Sequence, residues 1–255
     1  MMTKDNKYHV IKCTFTNWDQ LIDSHTCVCD KHQISSEPDH YIIPLDLRDR
    51  KICQNDPRMI FNMEIKNVEM LNNKCLFAQF MIKHYPKYIP LTISILTDGI
   101  DYLDKQYLDQ RDRESVMKKM IKKRAIGCAG IGTNVINEFD KGAREKDHVI
   151  SLYVEHTEYY TGHFLVHRGE ILRYVIFMAK TPPINDFIKK GPIWPYTILD
   201  SIDIHIFERI FKRTNYSGFA CSDFIISDNR IIIFEINPRP GGSLIANEHY
   251  CAEFF

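Results

Sequence analysis

The chain has 255 residues, 44% of them apolar, and its 33 Lys and Arg balance 33 Asp and Glu. That length supports one large domain or two small ones with a real core. A charged fraction of 26% at zero formal net charge, with only 11 Gly and 11 Pro, excludes a disordered polyelectrolyte and a low-complexity chain, and the balance removes the electrostatic reason to propose nucleic acid as a partner.

In chain order, Met1–Lys7 leads into only a short apolar strand, so no signal peptide is expected. No apolar run approaches the ~18 residues that span a bilayer, and a soluble, cytoplasmic protein without a membrane partner is the expectation. Tyr8–Phe15 reads as a strand and Trp18–Ile22 as the start of a short helix. The segment His25-Thr26-Cys27-Val28-Cys29-Asp30-Lys31-His32 packs four potential ligands into eight residues. Zinc sites separate their ligand pairs widely in sequence, so it reads as a polar loop. The other cysteines are scattered, which fits reduced, mostly buried thiols. His40–Leu45 reads as a second, buried strand with Pro44 at its edge or end. Between Arg58 and Tyr85, Met59, Ile60, Met63, Val68, Leu71, Leu76, Phe77, Phe80 and Met81 recur at mostly helical spacing. Two helices broken near Asn72-Asn73 are predicted, with Pro86 and Pro90 ending the region.

From residue 91 the texture changes to short strands: Leu91–Leu96, Val116–Lys123, Thr133–Asn137, Val149–Val154, Tyr159–Val166 and Ile171–Phe177, with Gly169 in a hairpin turn. Pro182-Pro183 and Pro192 to Pro195 bound a loop, and Leu199–Arg213 reads as an amphipathic helix with Ile202, Ile206, Phe207 and Ile210 on one face. A second hairpin follows, Gly218–Ile226 and Arg230–Ile236 about a turn at Asp228-Asn229. Antiparallel strands with a few helices give an α+β class.

The most informative residues lie in that hairpin. Strict alternation places Ile231, Ile233, Glu235 and Asn237 on one face of the second strand and Ile232, Phe234 and Ile236 on the other. Asp223, on the preceding strand, reaches the face of Glu235 and Asn237. Two carboxylates and an amide oxygen make a hard, all-oxygen donor set suited to Mg²⁺ or Mn²⁺ carrying phosphate oxygens as further ligands. A solvated surface hairpin explains Asp228, Asn229 and Arg230, but not an acid and an amide spaced together before Pro238-Arg239-Pro240-Gly241-Gly242.

Phe234-Glu235-Ile236-Asn237-Pro238-Arg239 with the upstream Asp223-Phe224 resembles the closing signature of ATP-grasp enzymes, in the branch that includes biotin carboxylase and carbamoyl-phosphate synthetase. The resemblance implies that Asp223, Glu235 and Asn237 hold two magnesium ions on the phosphates of ATP, and that Arg239 stabilises the transferred phosphoryl group. It implies a lysine-bearing strand and a glycine loop upstream, and Lys122-Lys123 before Gly127, Gly130 and Gly132 are similar. Counting back from Gly132 selects Lys123; Lys122 is the alternative, and a strand directs the two to opposite faces. Asn73-Lys74 resembles the family's earlier phosphate-touching pair, with a solvated helix-start lysine as the other reading. Leu152, Tyr153 and Val154 match the hinge that offers backbone groups to adenine, and Glu158, with Glu155 as rival, the ribose acceptor. His163, His167 and Arg173, on the following hairpin, read as structural or surface residues.

The fold so implied is ATP-grasp: two α+β subdomains gripping ATP between antiparallel sheets. Residues 1–72 form a reduced N-terminal α/β region and 73–255 the ATP-grasp domain, divided into 73–148 with the lysine strand and glycine loop and 149–255 with the metal-binding sheet. The implied activity is an ATP-dependent, ADP-forming ligase joining a small-molecule carboxylate to an amine through an acyl phosphate, with Lys123 and Arg239 in catalysis. The alternatives are an ATP-grasp kinase, a nucleotide-binding module without ligase activity, or a metal-dependent hydrolase using the same acids. Cys251, Phe254 and Phe255 are apolar and need a surface, for which a second copy in a homodimer is a candidate.

Overall fold

The computed structural model describes residues 7–11, 26–29, 40–43, 64–97, 100–101, 119–127, 133–136, 147–181, 193–199 and 202–245, with single positions at 47, 50, 51, 55 and 59. They form three sheets. Strands β1 (Lys7–Ile11), β2 (Thr26–Cys29) and β3 (His40–Ile43) make a parallel sheet in the order β2-β1-β3. The Cys27-Val28-Cys29 segment is therefore strand, not the polar loop its ligand-rich composition suggests. The short helix expected at Trp18–Ile22 lies outside the described residues.

Helix α1 (Ile65–Asn72) and helix α2 (Lys74–His84) are broken where the Asn pair predicts. Asn73 ends α1 and caps α2, its side-chain oxygen accepting from the backbone N–H groups of Cys75 (2.9 Å) and Leu76 (3.2 Å). Helix α2 has two buried aspects. Cys75 and Ala78 pack with Ala125 and Val149, whereas Phe77 and Met81 join the larger cluster of Phe164, Phe207, Phe224, Ile233 and Ile236. Leu76, counted with the apolar spacing in the sequence, is an exposed position.

The second sheet contains β4 (Thr92–Thr97), β5 (Ile100–Asp101), β6 (Met120–Arg124), β7 (Thr133–Ile136) and β8 (His148–Leu152), antiparallel in the order β5-β4-β8-β6-β7. The third contains β9 (Glu158–His167), β10 (Glu170–Lys180), β11 (Ile193–Leu199), β12 (Gly218–Ser227) and β13 (Arg230–Asn237), antiparallel in the order β11-β10-β9-β12-β13. The β9–β10 turn places Arg168 and Gly169 at φ of 49° and 82°. A side chain at Gly169 would also meet the Lys212 backbone at 2.6 Å. Asp228 and Asn229, both at positive φ, close the β12–β13 hairpin in the sense that suits strand twist.

Helix α3 (His205–Thr214) buries Ile206, Phe207, Ile210 and Phe211 on one face of the third sheet. It is shorter than the Leu199–Arg213 span the sequence suggests. Leu199 belongs to β11, and the Asp203 carboxylate accepts from the His205 N–H (3.0 Å) at the first turn. Pro195, expected in a loop, sits in that same strand, which is an edge strand and tolerates a missing N–H. From the N-terminal region, Arg50 is buried against the third sheet, donating to the Ser217 carbonyl (3.0 Å) with its guanidinium over the Tyr216 ring.

Candidate active site

The face of the third sheet turned away from α3 carries the site. Register places Asp223 opposite both Glu235 on β13 and Thr161 on β9, and the Thr161 hydroxyl donates to Asp223 Oδ1 (3.2 Å). The face assignment from simple alternation is corrected by a bulge. Asp223 pairs with Glu235 but Phe224 pairs with Ile233, so Phe234 is the extra residue on β13. Ile231, Ile233 and Ile236 all sink into the core against α3, and Glu235 and Asn237 turn the other way. Without the bulge they would follow Ile231 and Ile233 into that core.

Around the two acids the strands assemble charge of both signs. Lys74 Nζ, from the first turn of α2, lies 3.4 Å from Glu235 and donates to the Gly127 carbonyl at 3.1 Å. Its own backbone N–H donates to Ala125 (2.8 Å), so the start of α2 is tied to the end of the lysine strand. Lys123 Nζ lies 5.0 Å from the centre of the Phe234 ring, and it is Lys123, not Lys122, whose charge acts on Asp223 and Glu235. Asn237 Nδ2 donates to Glu235 Oε1 (3.0 Å), which leaves the Asn237 amide oxygen as an acceptor beside the carboxylates.

The electrostatics of the pair are unequal. Burial, then repulsion from Glu235, raises Asp223 above the ordinary carboxylate range. Burial works in the same sense on Glu235, but the charges of Lys74 and Lys123 and hydrogen bonds from Asn237 and Lys74 outweigh it and lower that group. Burial, opposed by Glu235 and reinforced by Lys74, lowers Lys123. An acid raised in this way marks negative charge that the protein's own cations do not fully compensate. A divalent cation meets that need, and two carboxylates with an amide oxygen are donors of the right hardness, so these residues fit Mg²⁺. Among the described residues there is no cluster of three His, Cys, Asp or Glu side chains that could hold a metal; this set differs because its third donor is an amide.

Next to the acids lies an aromatic group that sequence reasoning missed. Phe234 stacks on Tyr159 (6.2 Å between centres, 24° between planes) and touches His156, which also meets Tyr153. The β-period hides it, because only the bulge brings Phe234 to the same side as Glu235. Of the three residues that the resemblance matches to a hinge, Leu152 and Tyr153 donate their N–H groups to the Leu91 and Lys119 carbonyls, at 2.8 and 2.9 Å, and the Val154 carbonyl accepts from His156 Nδ1 at 2.7 Å. Glu158 accepts from Tyr160 (2.7 Å) and Lys180 (3.2 Å), which lower its pKa. Gly127 is placed beside Lys74, while Gly130 and Gly132 lie outside the described residues.

Beyond Asn237 the chain turns back over the same face. Arg239 donates its N–H to the Asn237 carbonyl (2.8 Å) and its Nη1 to the Pro240 carbonyl (3.1 Å). Ser243, in the short helix α4 (Gly242–Ile245), is hydrogen-bonded to His163 Nε2 at 2.8 Å. Burial, with a further push from Arg239, depresses His163 to about 3. His163 is one of the residues the sequence assigned to structure or surface; it is fully enclosed here, 1% exposed.

Comparison with known proteins gives the family and the fold. Residues 71–243 match the family model described as an ATP-grasp domain. Among solved structures, the chain is similar to D-alanine–D-alanine ligase from Bacillus anthracis, at 13% identity and TM-score 0.64, covering 97% of this chain and 92% of that one. It is similar to phosphoribosylamine–glycine ligase from Thermotoga maritima, at 14% identity and TM-score 0.56, covering 92% and 69%. An L-amino acid ligase from Bacillus licheniformis is similar at 15% identity and TM-score 0.53, covering 97% and 70%. Likeness at such identities shows the fold. No curated protein matches the chain by sequence.

Proposed function

Because the chain belongs to the ATP-grasp family, whose members bind ATP, we propose that it is an ADP-forming ligase joining a small-molecule carboxylate to an amine. The observation that carries this reading is the convergence of Asp223, Glu235 and Asn237 with Lys74 and Lys123 on one sheet face. Similarity to two structures described as an amino acid ligase and an amine–glycine ligase supports the choice of reaction class. On the same reading residues 1–72, with the parallel sheet β2-β1-β3, are an N-terminal region, and 73–255 the nucleotide-binding domain.

A carboxylate does not react with an amine in water because its leaving group is oxide. In the proposed reaction a carboxylate oxygen attacks the γ-phosphorus of ATP, the bond to the β-phosphate oxygen breaks, and ADP leaves. The amine then attacks the acyl carbon and loses a proton as inorganic phosphate departs. Chain groups contribute position and charge. Asp223, Glu235 and Asn237 would hold two Mg²⁺ ions, which when bound neutralise the phosphate oxygens and align the triphosphate. Lys74 and Lys123 offer cations to those oxygens, and Arg239 offers one where charge builds on the transferred group. Gly127, Gly130 and Gly132 are assigned the task of covering the phosphates and excluding water. Leu152, Tyr153 and Val154 face the base and Glu158 the ribose, where its contacts with Tyr160 and Lys180 keep it ionised.

The test is incubation with Mg²⁺–ATP and pooled amino acids, reading ADP and new amides by mass spectrometry. Amine-dependent ADP with a new amide supports the ligase. ADP release that ignores the amine points to a kinase, and binding without ADP to a nucleotide-binding module.

A further inference from the structure

The chemistry above leaves unused a buried histidine on the site's own sheet face. On β9, Thr161 and His163 are two residues apart and so point the same way, and the Thr161 contact with Asp223 fixes which way that is. His163 is paired across the sheet with Cys221, as Thr161 is with Asp223. One hydrogen bond, 2.8 Å from His163 Nε2 to Ser243 Oγ, joins β9 to the turn that follows Asn237, across 80 residues of sequence. The turn rests directly on this pair. A Cβ at Gly241 would lie 2.2 Å from Cys221 Sγ and 2.7 Å from His163 Cε1, so the backbone approaches as closely as a glycine allows. The other ring nitrogen, Nδ1, finds no hydrogen-bond partner among the described residues, although it is buried and sits beside Phe177. A position needed only for packing is better filled by an apolar side chain of the same volume, since a buried unpaired nitrogen is unfavourable.

We propose that His163 is a positioning residue which, through the Ser243 hydroxyl, holds the Pro238–Ser243 turn so that Arg239 faces the phosphoryl group in transfer. The proposal rests on the ligase reading, because it assigns His163 a task in that reaction. Among the described residues, the hydrogen bonds of Arg239 stay within its own turn, to the Asn237 and Pro240 carbonyls. The anchor from β9 connects that turn to the strand that also orients Asp223. Burial and the nearby Arg239 charge keep the imidazole neutral, so it acts as a fixed hydrogen-bonding strut.

The experiment compares wild type with His163→Leu, Ser243→Ala, the double variant and His163→Gln, whose amide reaches where Nε2 lies. Mg²⁺–ATP binding is measured by calorimetry, and ADP release is measured with pooled amino acids. The expected result is ATP affinity and KM for ATP within about threefold of wild type in every variant. With it, kcat falls about 100-fold in either single variant, the cost of a small misplacement of reacting groups. The double variant is no slower than either single one, and His163→Gln recovers most of the rate. Turnover near wild type in both single variants overturns the positioning role, as does loss of ATP affinity in proportion to loss of melting temperature. If His163→Leu fails to fold, Ser243→Ala alone decides between these results. A wild-type chain that neither binds Mg²⁺–ATP nor releases ADP overturns the ligase reading itself, and this assignment with it.

Discussion

Phe234 and Glu235, neighbours in sequence, serve the same side of β13: Lys123 lies over the ring of the first and Lys74 is 3.4 Å from the carboxylate of the second. A regular strand sends successive side chains to opposite faces, so the bulge at Phe234 is what separates the core-facing isoleucines from the acid and amide. The same bulge gives Lys123 an aromatic surface in place of solvent.

Asp223 stands in that arrangement with its carboxyl raised by burial and by Glu235. A raised carboxyl means that the folded chain binds the proton more tightly than the unfolded chain does. The contribution is therefore favourable at acid pH and is lost as pH rises through the folded value. Asp223→Asn removes a charge that the metal-free protein holds at a cost. The metal-free variant is expected to melt higher than wild type near neutral pH, by about 2–4 °C for each kcal/mol regained, and to gain no further stability from Mg²⁺–ATP. Thermal denaturation with and without Mg²⁺–ATP checks both; a lower melting temperature together with an intact ligand response contradicts the account.

The hairpin that carries the acids was legible in the sequence because its turn, Asp228-Asn229, lies between two short apolar runs, Phe224–Ile226 and Ile231–Phe234. The α1–α2 break was legible because Asn73 is a helix cap by chemistry. The bulge was not legible, since neither glycine nor proline marks it and Phe234 looks like any strand residue. Strand β11 was hidden by Pro195, which only an edge position permits, and the start of α3 by Leu199, whose apolar side chain suits strand and helix equally. His163 could not be found by motif, because its partner Ser243 is brought to it by the third dimension alone.

Lys122 and Lys123 provide a test of face. Lys123→Ala is expected to weaken Mg²⁺–ATP binding about tenfold or more, ~1.4 kcal/mol, because Lys123 is the one whose charge reaches Asp223 and Glu235. Lys122→Ala leaves affinity nearly unchanged. Calorimetric titration of both variants reads the difference, and the reverse order contradicts the placement.

Lys74 links three parts: the start of α2, the carbonyl of Gly127 and Glu235. Lys74→Met keeps the length of the stem but leaves Glu235 with Lys123 as the remaining one of these two cations. A loss of about 2 kcal/mol in unfolding free energy is expected, the range for a hydrogen bond to a charged group, together with weaker nucleotide binding. Urea denaturation and titration measure the two losses; an unchanged unfolding free energy is the contrary result.

Acid stability tests the enclosure of His163. The folded ring has its pKa depressed to about 3 from 6.5, by burial first and Arg239 second, so the unfolded chain takes up a proton that the folded chain refuses. The contribution of the neutral ring is complete above about 6.5 and falls away as pH drops toward about 3. His163→Gln has no such proton to take up, and its stability is expected to fall less than that of wild type between pH 6.5 and 4. Parallel pH–denaturation curves for the two proteins contradict the assignment.

Whether Asp223, Glu235 and Asn237 hold metal is decided by a crystal of the protein grown with ATP and Mn²⁺, with anomalous scattering used to locate the metal. Metal peaks are expected about 2.1 Å from oxygens of Asp223, Glu235 and Asn237, with phosphate oxygens completing the coordination and Lys74 and Lys123 turned toward the same phosphates. Bound nucleotide whose metal lies away from those three side chains, or those side chains facing apart around an empty space, contradicts the metal assignment.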